Sequence, residues 1–170
     1  MEIKLLDRKK QRGQHRKLKT MFKYIDSFVP FLETEQAFEH FHVPSDPFIE
    51  SFKTSGKVKT AFCRKWLETT EKFINQKPKN QGFCKIVAII SVPNFWLSEI
   101  IIFYDEGYYN SFWNRNGSEQ FWTMKQDKDS FCKERNINTS LQEMCYCETI
   151  IEENRTYKRD LWFYGDLPSK

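Results

Sequence analysis

Glycine and proline are scarce, at six each in 170 residues, which excludes collagen-like and linker-like chains. Long hydrophobic runs are missing too: the longest, Ile86 to Ile90, is far too short to cross a bilayer. Near the amino terminus only Ile3, Leu5 and Leu6 stand among the charges, so no apolar segment of a secretory signal is present. The five cysteines (Cys63, Cys84, Cys132, Cys145, Cys147) are odd in number and fit no small secreted framework. Reduced thiols in a cytoplasm are the simplest reading of that set. The sequence also lacks a glycine-rich phosphate loop, a nucleophile elbow and a zinc-protease helix.

Aromatic residues, by contrast, reach 16% within an apolar total of only 39%. So many large rings are costly to leave in water, which argues against long disorder. The length suits one domain that buries roughly two thirds of its unfolded surface without a staple. Charge is unevenly spread. From Met1 to Tyr24 there are nine Lys or Arg (Lys4, Arg8, Lys9, Lys10, Arg12, Arg16, Lys17, Lys19, Lys23) against Glu2 and Asp7, a balance of +7. The whole chain is +4, so the remainder carries −3. Residues 1–15 are expected to be a basic arm and residues 16–170 a globular α+β body; a basic front followed by a mildly acidic remainder after Tyr24 is an asymmetry that attracts polyanions.

Leu18, Met21, Phe22, Ile25, Phe28 and Val29 recur at helical spacing, with Gly13 weakening an upstream continuation and Pro30 a downstream one. Glu33 to Phe41 fits a short helix, while Phe41-His42-Val43-Pro44 reads as extended, since the residue before a proline avoids the α region. The clearest helix follows Ser55-Gly56, with Val58, Ala61, Phe62, Trp66, Leu67, Phe73 and Ile74 as its apolar stripe and Pro78 and Gly82 beyond its end. Cys84–Val92 and Ser98–Tyr104 are β-branched and almost uncharged at their centres, as strands covered on both faces are. The short Pro93–Trp96 link makes them an antiparallel hairpin. Asp105 can cap a short helix through Trp113, with Asn114–Gly117 as a turn. A third strand at Gln120–Met124, a helix at Asp127–Arg135 and a polar loop at Asn136–Ser140 come next. A second hairpin pairs Glu148–Glu152 with Tyr157–Tyr164. The expected fold is α+β: a mainly antiparallel sheet of four to five strands with two longer helices packed on one face.

Candidate chemistry is sparse. The run Arg8-Lys9-Lys10-Gln11-Arg12-Gly13-Gln14-His15-Arg16-Lys17 offers point charges and bidentate forks for phosphates, with Gly13 allowing close approach. Tyr108, Tyr109, Phe112 and Trp113 beside Arg115 could stack on bases, yet core volume is the better use of such rings. If their segment is a strand, His40 and His42 share one side of it, as would Cys145 and Cys147, but neither pair has the spacing of a zinc site, so no cofactor or metal is expected. His42, Glu99, Asp105 and Arg115 would form a catalytic set only if they converged, and each has a plain structural use.

Several of these segments resemble an uncharacterised domain family of Bacillus and related Firmicutes. They are Lys9-Lys10-Gln11-Arg12-Gly13, His42-Val43-Pro44 through Phe48-Ile49-Glu50-Ser51 and Lys53-Thr54, Val87–Ile90 to Pro93 and Trp96, Ser98–Phe103, Phe112–Asn116, and Leu161–Gly165. The resemblance spans nearly the whole chain. It implies a bacterial or phage cytoplasmic origin and a single domain that includes the basic arm, and it brings no activity, cofactor or catalytic residue.

Three function classes follow. The first is a cytoplasmic, non-catalytic binding module that docks on nucleic acid or another polyanion through Arg8, Lys9, Lys10, Arg12, Arg16 and Lys17. The second is a protein–protein module of the immunity or anti-defence type. The third is an enzyme built on His42, Glu99, Asp105 and Arg115. No membrane partner is expected, and an aromatic-rich surface could bury itself in a homodimer.

Overall fold

The computed structural model describes residues 2–42, 56–92, 98–116, 147–152 and 155–168. Helix α1 spans Glu2–Ser27, strand β1 Phe38–His42, helix α2 Gly56–Asn75, strand β2 Lys85–Val92 and strand β3 Glu99–Phe103. Helix α3 (Glu106–Asn116) and strands β4 (Cys147–Glu152) and β5 (Arg155–Gly165) complete the chain order. The strands form one sheet in the order β1-β3-β2-β5-β4, and every neighbouring pair is antiparallel. The α+β architecture read from the sequence is the one adopted. The expected Pro93–Trp96 link, Gln120–Met124 strand, Asp127–Arg135 helix and Asn136–Ser140 loop lie outside the described residues.

β2 is the middle strand, and its composition explains why. Ile86, Ala88 and Ile90 face α1 and α2, where they pack with Ile100, Ile102, Trp66 and Phe62. Val87 and Ile89 face the other way and pack with Ile101, Phe103 and Phe163 under Tyr109 and Trp113 of α3. A strand with period-2 geometry and apolar residues at every position must be covered on both sides. The short helix is thus the third layer of an α/β/α sandwich. Its start is fixed by Asp105, whose Oδ1 accepts the Tyr108 N–H at 2.8 Å. The helix continues past Trp113 to Asn116, through the segment expected to turn.

α2 is tied to the sheet by a polar contact inside the core. The fully buried Trp66 donates its indole N–H to the Ile89 carbonyl at 3.1 Å. Thr69 and Thr70 donate their hydroxyls to the Lys65 and Trp66 carbonyls, each at 2.8 Å, so these polar side chains are satisfied within the helix. Between the helices, Lys65 of α2 pairs with Asp26 of α1 at 2.5 Å and lies 5.9 Å from the centre of the Phe22 ring.

Two local expectations change. Gly13 does not interrupt α1, which runs as one helix through the stretch read as a basic arm; a single glycine costs about 1 kcal/mol relative to alanine. Residues 33–41 do not form a helix. Turn residues precede β1, which pairs with β3 from Phe38↔Phe103 to His42↔Glu99. Phe38, His40 and His42 are exposed while Glu39 and Phe41 are buried, the alternation that sheet pairing selects. The entry to β1 is held by Glu39, whose carboxylate accepts the Phe31 N–H at 2.9 Å and the Tyr104 hydroxyl at 2.7 Å. Phe31 itself sits at φ 68°, an unusual value for a residue with a side chain.

The far end of the sheet is closed by Gly165 and Asp166. Gly165 has φ +112°, and a Cβ there would lie 2.2 Å from the Ile86 carbonyl oxygen. Asp166 then accepts the Ile86 N–H at 2.7 Å and pairs with Lys77, while its carbonyl accepts the Tyr109 hydroxyl at 2.6 Å. Gly165→Ala is expected to cost about 3 kcal/mol of unfolding free energy, from backbone strain and the forced contact. Gly82→Ala, whose added Cβ meets nothing within 4 Å, is expected to change it by less than about 1 kcal/mol. Urea melts of the two variants check the contrast.

Candidate nucleic-acid interface and histidine–glutamate cluster

α1 buries Leu18, Met21 and Ile25 against the body. With 3.6 residues per turn, positions 8, 12, 16, 19 and 23 fall within an arc of about 80° on the side nearly opposite that stripe. All five are Arg or Lys: Arg8, Arg12, Arg16, Lys19 and Lys23. The row extends for roughly 22 Å along the helix axis. Three of the residues expected from sequence, Arg8, Arg12 and Arg16, belong to it by helical position, whereas Lys9, Lys10 and Lys17 lie outside the arc. Lys19 and Lys23, missing from the expected set, join it. Arg16, Lys17, Lys19 and Lys23 are exposed, and none takes part in an ion pair among the described residues.

The histidines form a second group. On the α3-side surface of β1, the rings of His40 and His42 lie 5.4 Å apart. Cross-strand register sets His42 opposite Glu99, and the Glu99 carboxylate reaches His40 Nε2 at 2.5 Å. The hydrogen bond to Glu99 raises the His40 pKa above its ordinary value of 6.5, against the lowering effect of burial, with the Glu99 charge adding to the rise. His40 is the partner that sequence reasoning left out of the candidate set. Glu99 is 59 residues away, and no local spacing announces the pair.

Asp105 stands apart. Its backbone N–H bonds the Ala37 carbonyl at 3.2 Å, five residues of extended chain before His42, a separation of roughly 16 Å. The structure therefore brings His42 and Glu99 together and keeps both away from Asp105, which caps α3. Arg115 is in the last turn of α3, and its side chain is outside the described residues. No group of three or more His, Cys, Asp or Glu suited to a metal ion occurs among the described residues.

Burial also sorts the aromatic residues. Tyr109 and Trp113 are core, as expected from sequence, and burial pushes the Tyr109 hydroxyl pKa up to about 12. The exposed Phe and Tyr rings among the described residues are Tyr24, Phe38 and Tyr108, the last against the expectation that the rings of its segment fill the core. Tyr24, on the cationic helix, was not singled out from sequence, because its position next to the apolar stripe reads equally well as core.

An α1–α2 layer, a five-stranded antiparallel sheet and a short covering helix define the class: a three-layer α+β protein with a cationic helix on its outside. The chain belongs to the family described as "Protein of unknown function (DUF3916)", which it matches over residues 20–166. That match runs from the second half of α1 to Asp166. Lys23 lies inside it, while Arg8, Lys9, Lys10, Arg12, Arg16, Lys17 and Lys19 precede it. No curated protein matches the chain, nor does any solved structure. Among the described residues no helix is long and apolar enough to cross a membrane.

The raised His40 pKa gives the cluster a pH signature. Folding favours protonated His40, so its contribution is full below the ordinary value of 6.5 and is lost as pH rises through the higher folded value. The stability of the wild type is expected to fall relative to His40→Gln between about pH 6 and about pH 9. Urea melts at both pH values test this, and Glu99→Gln is expected to flatten the dependence in the same way.

Proposed function

We propose that this protein is a small cytoplasmic module without chemistry of its own that docks on nucleic acid through α1. The supporting observation is the cationic row of Arg8, Arg12, Arg16, Lys19 and Lys23, set opposite the buried stripe and free of ion pairs among its described members. Charges held along a helix meet a phosphate backbone at regular intervals, and the body behind them is a rigid mount. Lys9, Lys10 and Lys17 add flanking charge. Such a surface positions the protein on a backbone without reading sequence. Lys65 is excluded from the docking set because Asp26 and the Phe22 ring hold it between the helices.

Binding is expected to weaken steeply with salt, since each phosphate neutralised contributes a slope of about −0.7 in log affinity against log salt on a single strand. Arg16, Lys19 and Lys23 are exposed, so reversing them together leaves the core untouched. The triple variant Arg16→Glu, Lys19→Glu, Lys23→Glu is expected to reduce the slope by about 2 and to weaken binding to all sequences alike. Filter binding across a salt series is the measurement. No retention of wild type at low salt overturns the proposal.

A further inference from the structure

We infer that the nucleic acid held by α1 is single-stranded and that one of its unpaired bases stacks on Tyr24; this rests on the reading of α1 as the docking helix. Tyr24 is 45% exposed, yet its ring is not loose. It stacks on Phe41 with centroids 5.6 Å and planes 23° apart. Phe41 is buried and lies near-parallel to Phe28 at 4.3 Å and to Trp66 at 5.6 Å, and Trp66 stacks in turn on Phe62 at 5.6 Å. Tyr24 is the water-facing member of a cluster of near-parallel rings rooted in the core. Its orientation is set before any ligand arrives, so stacking on its open side costs little side-chain freedom.

Charge lies where a backbone would need it. Lys17, Thr20 and Tyr24 follow one another at i, i+3 and i+7 along one side of α1, beside the row that holds Arg16 and Lys23. Lys17 and Lys23 are exposed and outside any described ion pair. Cations alone attract duplex and single strand alike, whereas only an unpaired base offers its flat face to a protein ring. An exposed ring flanked by unpartnered cations is therefore complementary to a single strand in both charge and shape. The other two exposed Phe and Tyr rings among the described residues, Phe38 and Tyr108, contact each other at 5.7 Å on the α3 side of the sheet.

The test compares the full chain binding a labelled oligothymidine of about 20 nucleotides and a duplex of equal length, by fluorescence anisotropy at matched salt. Wild type is expected to prefer the single strand. Tyr24→Leu keeps an apolar cover over Phe41 but removes the ring; it is expected to weaken the single-strand complex by about five- to a hundredfold, with the duplex complex and the salt slope unchanged. Tyr24→Phe is expected to bind as wild type does. Equal losses on both ligands, or no loss on either, overturn the stacking inference. If both oligonucleotides bind and Tyr24→Leu is silent, α1 remains the docking helix and only the base contact fails. If neither binds at low salt, the docking reading itself fails. Should Tyr24→Leu not fold, ultraviolet crosslinking of wild type to the oligothymidine decides: adducts at Tyr24 support the contact, and adducts elsewhere overturn it.

Discussion

The architecture depends on burying β2 from both sides. Five consecutive apolar residues, Ile86 to Ile90, leave neither face of that strand able to meet water. Each fully buried isoleucine is worth about 1.5–3 kcal/mol, so the strand is stable only at the centre of the sheet with a helical layer above and below. β3 and β5 occupy its two edges, α1 and α2 cover one face, and α3 covers the other. A two-layer fold would have left Val87, Ile89 and Ile101 exposed, which explains why a helix as short as α3 is placed and capped so firmly.

Around that apolar centre, two carboxylates fix the chain at points that burial alone does not specify. Glu39 gathers the Phe31 amide and the Tyr104 hydroxyl at the entry to β1. Asp166 gathers the Ile86 amide and Lys77 at the exit of β5. Buried hydrogen bonds contribute modestly when made and cost more when left unmade, so these contacts select one arrangement of the connections more than they deepen the energy well. Gly165 belongs to the same device, because only a residue without a Cβ lets Asp166 approach Ile86.

The outer surface has the opposite character. α1 turns its apolar side inward and leaves Arg16, Lys17, Lys19 and Lys23 exposed without ion pairs among the described residues, an arrangement with no evident role in holding the fold. Lys65 is the contrast: its charge is used against Asp26 and Phe22 and ties one helix to the other. The family match begins at Thr20, so it includes Met21 and Ile25, which pack on the body, while Leu18 and most of the cationic row lie ahead of it.

Strands β2 and β3, helix α2, the Asp105 cap and the terminal hairpin were legible in the sequence, because each is written in contiguous residues as periodicity, β-branching or capping chemistry. Segment 33–41 fits a helix by its local sequence, yet Phe38–Phe41 is a strand because of hydrogen bonds to β3, and nothing within Phe38–His42 announces that partner. The His40–Glu99 contact and the setting of Tyr24 on Phe41 were hidden for the same reason. Which segments had to be buried, and where positive charge is concentrated, can be read from the order of residues alone. Which cations line up on one side of α1, which imidazole meets Glu99 and which ring stays in water follow from the folded chain alone, because they depend on a continuous helix and on pairings between residues far apart in sequence.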